Sequence, residues 1–309
     1  MRSSANRIFA FAAACLITAG LQAFDSEAWL KARDAASEEA SEMRRAYAEY
    51  SGRVNIPAEN LTVPLESFPN GSVKSSIFAK NACFFLQEGY IWGKGVTIRQ
   101  FTPDGKVESQ VDADTCLVNR ETRKAWVEGH AKAYYRNQAE IEGDNVFINA
   151  TNEYITIYDN TVMEAEGRTL KGRRLDYDRK NGLAMLDGDV VLTGQERGKP
   201  YRLDGNKVFA FFQNTNELKR VVAYDGVKVK SENRSGSADK AVYLRAPNKV
   251  TLYAGETGRA HLEEKGSRNN SVDGSRITFW LDAEQVEVVD SEITAETKDV
   301  KKYGGFDGK

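Results

Sequence analysis

The sequence predicts an all-β protein built from stacked three-strand repeats, preceded by a short helical segment. Three observations carry that. Small residues recur as anchors at Ala113, Gly143, Gly172, Gly205, Ala238 and Gly274, spaced by 30, 29, 33, 33 and 36 residues. Apolar residues fall two apart after each anchor, the period of a half-buried strand. Turn formers and charges separate the apolar runs, as in "RETRK", "ATNEY", "RKNG", "APNK" and "LDAEQ".

The positions align through the repeat. Three residues after the anchors stand Cys116, Val146, Leu175, Val208, Ala241 and Ile277, and five after stand Val118, Ile148, Tyr177, Ala210, Tyr243 and Phe279. A second strand follows with Ala125/Val127, Ile155/Ile157, Ala184/Leu186, Val250/Leu252 and Val286/Val288. The fourth unit aligns at Val221/Ala223 after an insertion near Asn214 to Asn216. A third strand opens after a further turn, with Ala131/Ala133, Val190/Leu192 and Val227/Val229, and slips by one residue at Val162 and Ile293, as a bulge would make it do. Residues 79–98 form an earlier unit of the same kind. No unit buries its own apolar face, so neighbours must stack.

The elements before the repeats follow in order. Arg2 and Arg7 precede an apolar run from Ile8 to Leu21, and Leu21-Gln22-Ala23 has the small-residue pattern of a cleavage site. This reads as a secretory signal peptide over residues 1–23; an uncleaved anchor is the alternative. Cleavage takes the formal charge from −2 to −4. Residues 24–71 read as a helical and linker segment. Within it, Ser26 to Tyr50 places Trp29, Ala36, Met43 and Tyr47 at helical spacing. That helix either caps the first β unit or is a linker, and Pro57, Pro64 and Pro69 mark a loop-rich joint. The repeats occupy 72–297 as one domain or as two in tandem with a break near 194–205. The tail, 298–309, reads as disordered.

The chemistry-bearing residues point away from catalysis. His130 and His261 stand alone beside turns and polar positions. "DYD" (Asp176 to Asp178) and "DGD" (Asp187 to Asp189) pair acidic groups but lack a third ligand at fixed spacing, and read as solvated faces and turns. "GQERGK" departs from a phosphate-binding loop, and no nucleophile elbow or zinc-protease motif is present. The chain reads as a non-enzyme without cofactor or metal. The near-neutral charge gives no footprint for nucleic acid. Cys83 and Cys116 stay in the exported part: they bridge as a disulfide if the first unit starts its register at Lys80, or they remain two buried free thiols.

"GSRITFWLDAEQVEVV" (Gly274 to Val289), "GSADKAVYLRAPNKVTLYAG" (Gly236 to Gly255) and "LDGDVVLTG" (Leu186 to Gly194) resemble the repeat of the OstA-like family. Its members are periplasmic lipopolysaccharide-transport proteins, LptA and LptC among them, and the soluble N-terminal part of LptD. The resemblance runs from Val111 to Thr297, and more loosely from Ile77. It implies a β-jellyroll of two facing sheets, elongated, with lipopolysaccharide acyl chains between them. It also implies partner jellyroll domains joined edge to edge by strand addition, a periplasmic location, and contact with membranes only through partners unless the N-terminus is an anchor. The expected lipid-lining residues are Val146, Ile148, Leu175, Tyr177, Val208, Tyr243, Ile277 and Phe279 from the first strands. Leu186, Val190, Leu192, Val227 and Val229 come from the later ones. The chain is longer than a single-domain bridge protein, which leaves open an inner-membrane-anchored partner. A structural or adhesive β-solenoid with a dry core is the reading from another class.

Overall fold

The structure, a computed structural model, describes residues 26–294 apart from 136–138, 166, 197, 214–216, 257, 266–269, 282, 284 and 291. The expected signal peptide, the C-terminal tail and the insertion at Asn214 to Asn216 lie outside the described residues. The chain divides into two units, one ending at Glu39 and one starting at Ala40.

One helix, α1 (Ser26–Tyr50), covers the span its apolar spacing predicts. It ends where Gly52 takes a left-handed φ of 77° and Ser51 donates its amide to the carbonyl of Tyr47. From Ala40 onward it lies against the outer face of the sheet, not against an edge. Tyr50 packs on Phe85 and Tyr90 with ring centroids 4.8 and 4.9 Å away, and the Tyr47 hydroxyl meets Thr115 Oγ1 at 2.8 Å. No described helix is long and apolar enough to cross a membrane.

Every other regular element among the described residues is an antiparallel strand. β1 (Ile56–Ser67) pairs β2 (Val73–Phe85), and each strand then pairs the next: β3 (Tyr90–Phe101), β4 (Val107–Asn119), β5 (Lys124–Tyr135), β6 (Ala139–Asn149), β7 (Tyr154–Ala165), β8 (Arg168–Asp178), β9 (Leu183–Glu196), β10 (Lys199–Gln213), β11 (Glu217–Ser231) and β12 (Arg234–Leu244). Beyond β12 the two halves of the sheet continue separately. One runs through β13 (Lys249–Tyr253), β16 (Arg276–Trp280) and β17 (Val286–Val289). The other runs through β14 (Ala260–Glu264), β15 (Asn270–Gly274) and β18 (Glu292–Thr294).

The stacked repeat is present, with one refinement. The second and third short strands of a unit are two arms of a single long strand. The break between them in β5, β7, β9 and β11 is a bend, not a reversal. Each bend holds two consecutive left-handed residues: Gly129/His130, Asp159/Asn160, Gly188/Asp189 and Asp225/Gly226. Glycine, asparagine and aspartate enter that region most readily, which explains why "DGD" looks like a turn. At each bend the strand carries one residue more than either neighbour, a bulge that turns the sheet sharply.

The anchors sit opposite those bulges, inside the corner. A Cβ on Gly143 would stand 2.2 Å from Ile157 Cγ2, and one on Gly172 3.3 Å from Leu186 Cδ2. The small anchor is therefore the residue that lets the sheet fold back on itself. The slip expected at Val162 is absent. Thr161 and Met163 hold the common register, and Thr161, although polar, is buried and donates to the Ile157 carbonyl. At Ile293 the slip is real, since that residue pairs Val272.

The sheet begins inside the segment read as linker, because β1 takes Pro57 and Pro64 in its stride at the sheet edge, where a missing N–H is tolerated. β9 and β10 also pair with each other on either side of the expected break, with Gly194 paired to Tyr201 and Gly205 to Val190. At the tips, Asn119 and Asn149 each accept two backbone amides through their Oδ1, and Asp178 accepts that of Asn181. All three stand six residues after an anchor.

One bend carries a titratable pair. His130 Nδ1 lies 2.8 Å from Asp114 Oδ2, and this hydrogen bond and charge raise the imidazole above its ordinary value of 6.5. Whatever the pair contributes to stability is present in full below that ordinary value and is lost as pH rises through the folded one. An NMR titration is expected to place the His130 midpoint above 6.5, and Asp114→Asn to return it toward the ordinary value.

Candidate functional site

The bent strands give the sheet two arms whose inner faces meet. The far arm, beyond the bends, contributes two apolar rows. The first runs Cys116, Val127, Val146, Ile157, Leu175, Leu186, Val208, Ala223, Ala241, Leu252 and Ile277, each paired with the next. The second passes through Val118, Ile148, Tyr177, Ala210, Val221, Tyr243 and Phe279. The near arm contributes Val190 and Val227, and a further row through Leu170, Leu192, Leu203 and Val229. Residues of both arms form one buried cluster.

Every expected lining residue faces this interior. Val146, Leu175, Leu186, Val190, Leu192, Val208, Val227, Val229, Tyr243, Ile277 and Phe279 are buried members of the cluster, and Ile148 and Tyr177 pack against it half-buried. The sequence reading missed the row two residues before each anchor: Val111, Ile141, Leu170, Leu203, Gly236 and Val272. The signal was there, since five of the six are apolar, but those residues belong to the strand arm that approaches the anchor.

The described side chains of the two arms pack into one buried cluster. Between Met163, Leu170 and Leu192 on the near arm and Ala210, Phe212, Leu218 and Val221 on the far arm is a cavity of about 50 Å³, with Arg168 at its rim. That volume holds a few waters and falls well short of the roughly 300 Å³ at which small-molecule pockets begin. Arg168 Nε donates to the Tyr201 hydroxyl at 2.8 Å.

Polar contacts join the arms where their free ends face each other. Arg123, at a far-arm tip, reaches Glu66 Oε1 on β1 at 2.9 Å, and Lys74 meets the same carboxylate at 3.0 Å. Arg179, at the tip between β8 and β9, donates to Gln100 Oε1 at 3.0 Å and pairs Glu108 Oε2 at 3.1 Å on the near arm. Arg234, at the near-arm end of β12, donates to the carbonyls of Trp280 and Ala283 at 3.0 and 2.9 Å and pairs Glu264.

Other residues singled out in the sequence lie elsewhere. Asp176 and Asp178 are both buried, not solvated. Asp176 accepts from Thr156 and Arg174 on the outer face, and Asp178 caps its turn. His261 Nδ1 lies 2.9 Å from Asp273. The disulfide register for Cys83 and Cys116 fails, and both thiols are free and buried. β3 stands between their strands; Cys83 pairs Trp92 while Cys116 pairs the adjacent Gly93, so the side chains leave opposite faces. Burial pushes the Cys116 thiol up to about 12, which keeps it unreactive at neutral pH.

Comparison with known proteins bears on the repeats. Residues 169–285 match the family model described as "LptA/(LptD N-terminal domain) LPS transport protein". Among solved structures the chain is similar to LptH of Pseudomonas aeruginosa, described as the LptA-homologous periplasmic component of a lipopolysaccharide transport device. That likeness has 16% identity and a TM-score of 0.36, over 42% of this chain and 94% of that one. No curated protein matches the chain. The repeats across residues 169–285 are thus similar to those of the LptA/LptD N-terminal family of lipopolysaccharide-transport proteins.

Proposed function

We propose that the protein is a periplasmic lipid carrier that shields lipopolysaccharide acyl chains between its two arms and forms part of a bridge toward the outer membrane. The observation that supports this most is the set of apolar rows running from rung to rung along both facing arms. Each methylene withdrawn from water is worth about 0.8 kcal/mol, so an amphiphile with several chains needs an apolar path throughout. Rungs built on one repeat offer similar environments in succession, and a chain can move between them without a deep trap. With the arms packed into one cluster, uptake requires them to part, acyl chains then replacing contacts the arms make with each other. At the two ends of the described sheet, β1 and the β17/β18 side, a partner jellyroll would join by strand addition.

A photo-crosslinking amino acid at Tyr177, in cells, is expected to yield an adduct that carries lipopolysaccharide. The same group at Lys228, which alternates outward from Val227 and Val229, is expected to yield none. Absence of the adduct at Tyr177 in protein confirmed as exported and folded would refute the carrier reading and favour the dry-core solenoid.

A further inference from the structure

The three arginine contacts share a plan that packing alone does not explain. In each, a guanidinium at the free end of one arm meets acceptors at the free end of the other. The bends form the closed side of the interior and these contacts lie across the opposite, open side. The residues joined are far apart in the chain: Glu66 with Arg123, Gln100 and Glu108 with Arg179, and Arg234 with the carbonyls of Trp280 and Ala283. In each case the far-arm member comes later in the chain than its near-arm partner, as expected when two twisted arms face each other. Glu108 and Arg179 are mostly withdrawn from solvent, with side chains 15% and 21% exposed, so their pairing is screened less than that of a surface pair.

The Arg179 contact also adjoins the cavity. Phe212, a lining residue, donates its amide to the carbonyl of Gly182, three residues beyond Arg179, and its ring stands 6.2 Å from that of Tyr177. An acyl chain entering beside Phe212 would bring its headgroup to the arm ends at Arg179. Guanidinium binds phosphate with the same paired geometry as carboxylate.

We propose that these arginines are clasps that hold the mouth of the interior shut, and that a phosphate-bearing amphiphile opens the central one by taking the Arg179 guanidinium from Glu108 as its chain enters beside Phe212. This rests on the carrier reading above only for the identity of the ligand; the closure itself does not depend on it.

Two measurements on the full exported chain test it. Nitroxide labels at Lys106 and Lys180, on facing tips of the two arms, report the width of the mouth without any lipid. Arg179→Gln is expected to broaden and lengthen that distance distribution, and Arg202→Gln, whose partner Asp204 is on its own arm, to leave it unchanged. The second measurement is uptake of pyrene-labelled phosphatidic acid, with the matching diacylglycerol as the uncharged probe, both from phosphatidylcholine vesicles. Glu108→Gln is expected to load the phosphate probe ~10-fold faster, as for loss of one charge-assisted contact. Arg179→Gln is expected to load both probes equally. A mouth distance unaltered by Arg179→Gln overturns the clasp whatever uptake does. Equal loading of the two probes by the wild-type protein and Glu108→Gln overturns the exchange with phosphate. A widened mouth with no uptake of either probe by any variant supports the clasp and overturns the exchange with phosphate, while the Tyr177 adduct decides the carrier.

Discussion

Leu186→Ala is expected to lower the free energy of unfolding by about 3–5 kcal/mol. Leu186 is 0% exposed and pairs with Leu175 on one side and Val208 on the other, both in the same buried row. It also fills the corner that Gly172 leaves open, with Cδ2 3.3 Å from where a Cβ would stand. Removing it leaves a void that backbone ladders on both sides prevent from collapsing. Globular domains have only about 5–15 kcal/mol in hand, so one such loss is a large share. Urea titration followed by circular dichroism is the measurement. Val289→Ala, at a 38% exposed position, is the control, expected to shift stability by less than about 0.5 kcal/mol. A midpoint for Leu186→Ala equal to that of the control would show that the arms do not pack as described.

Gly182→Val is expected to cost about as much, roughly 3–5 kcal/mol from left-handed backbone strain and steric conflict together. Gly182 closes the turn between β8 and β9 at a φ of 60°, and a Cβ there would stand 2.7 Å from the Phe212 carbonyl oxygen. That oxygen belongs to backbone, so it cannot swing aside as a side chain would. The Phe212 amide, meanwhile, donates to the Gly182 carbonyl at 2.8 Å, and a displaced turn loses this bond as well. Gly198→Ala separates the two causes. Gly198 has a φ of 80° but open space around its Cβ position, so only the conformational cost of about 1–2 kcal/mol remains. Thermal melts of the two variants should therefore differ clearly. Equal melting temperatures would mean that the β8–β9 tip is not held against β10.

The two variants probe different kinds of information. Leu186 was legible as an inward residue from its spacing to Gly172, because strand alternation leaves one choice of face once the register is set. Gly182 was legible only as part of a polar turn. Its need for a missing side chain comes from β10, thirty residues on. The same division runs through the molecule. Thr161 holds the inward position that the sequence pattern gave to Val162, since a donor can be buried when a carbonyl lies within reach. "DYD" looked solvated because two aspartates usually are; Thr156 and Arg174, on neighbouring or preceding positions of the outer face, make burial of Asp176 tolerable.

What the amino-acid sequence determined by itself is the β period, the repeat, and which residues of each rung face inward. Those depend on local chemistry: alternation selects a face, small anchors permit a corner, and Gly, Asn and Asp accept the left-handed bends. The family resemblance followed from the same pattern and holds across residues 169–285. The tertiary structure alone decided that the second and third strands are one bent strand, that Cys83 and Cys116 leave opposite faces, and that arginines at one set of tips meet acceptors at the other. These features depend on how far the two arms fold toward each other and how they twist. Neither is written into any single rung, because each is set by the packing of rungs distant in the chain.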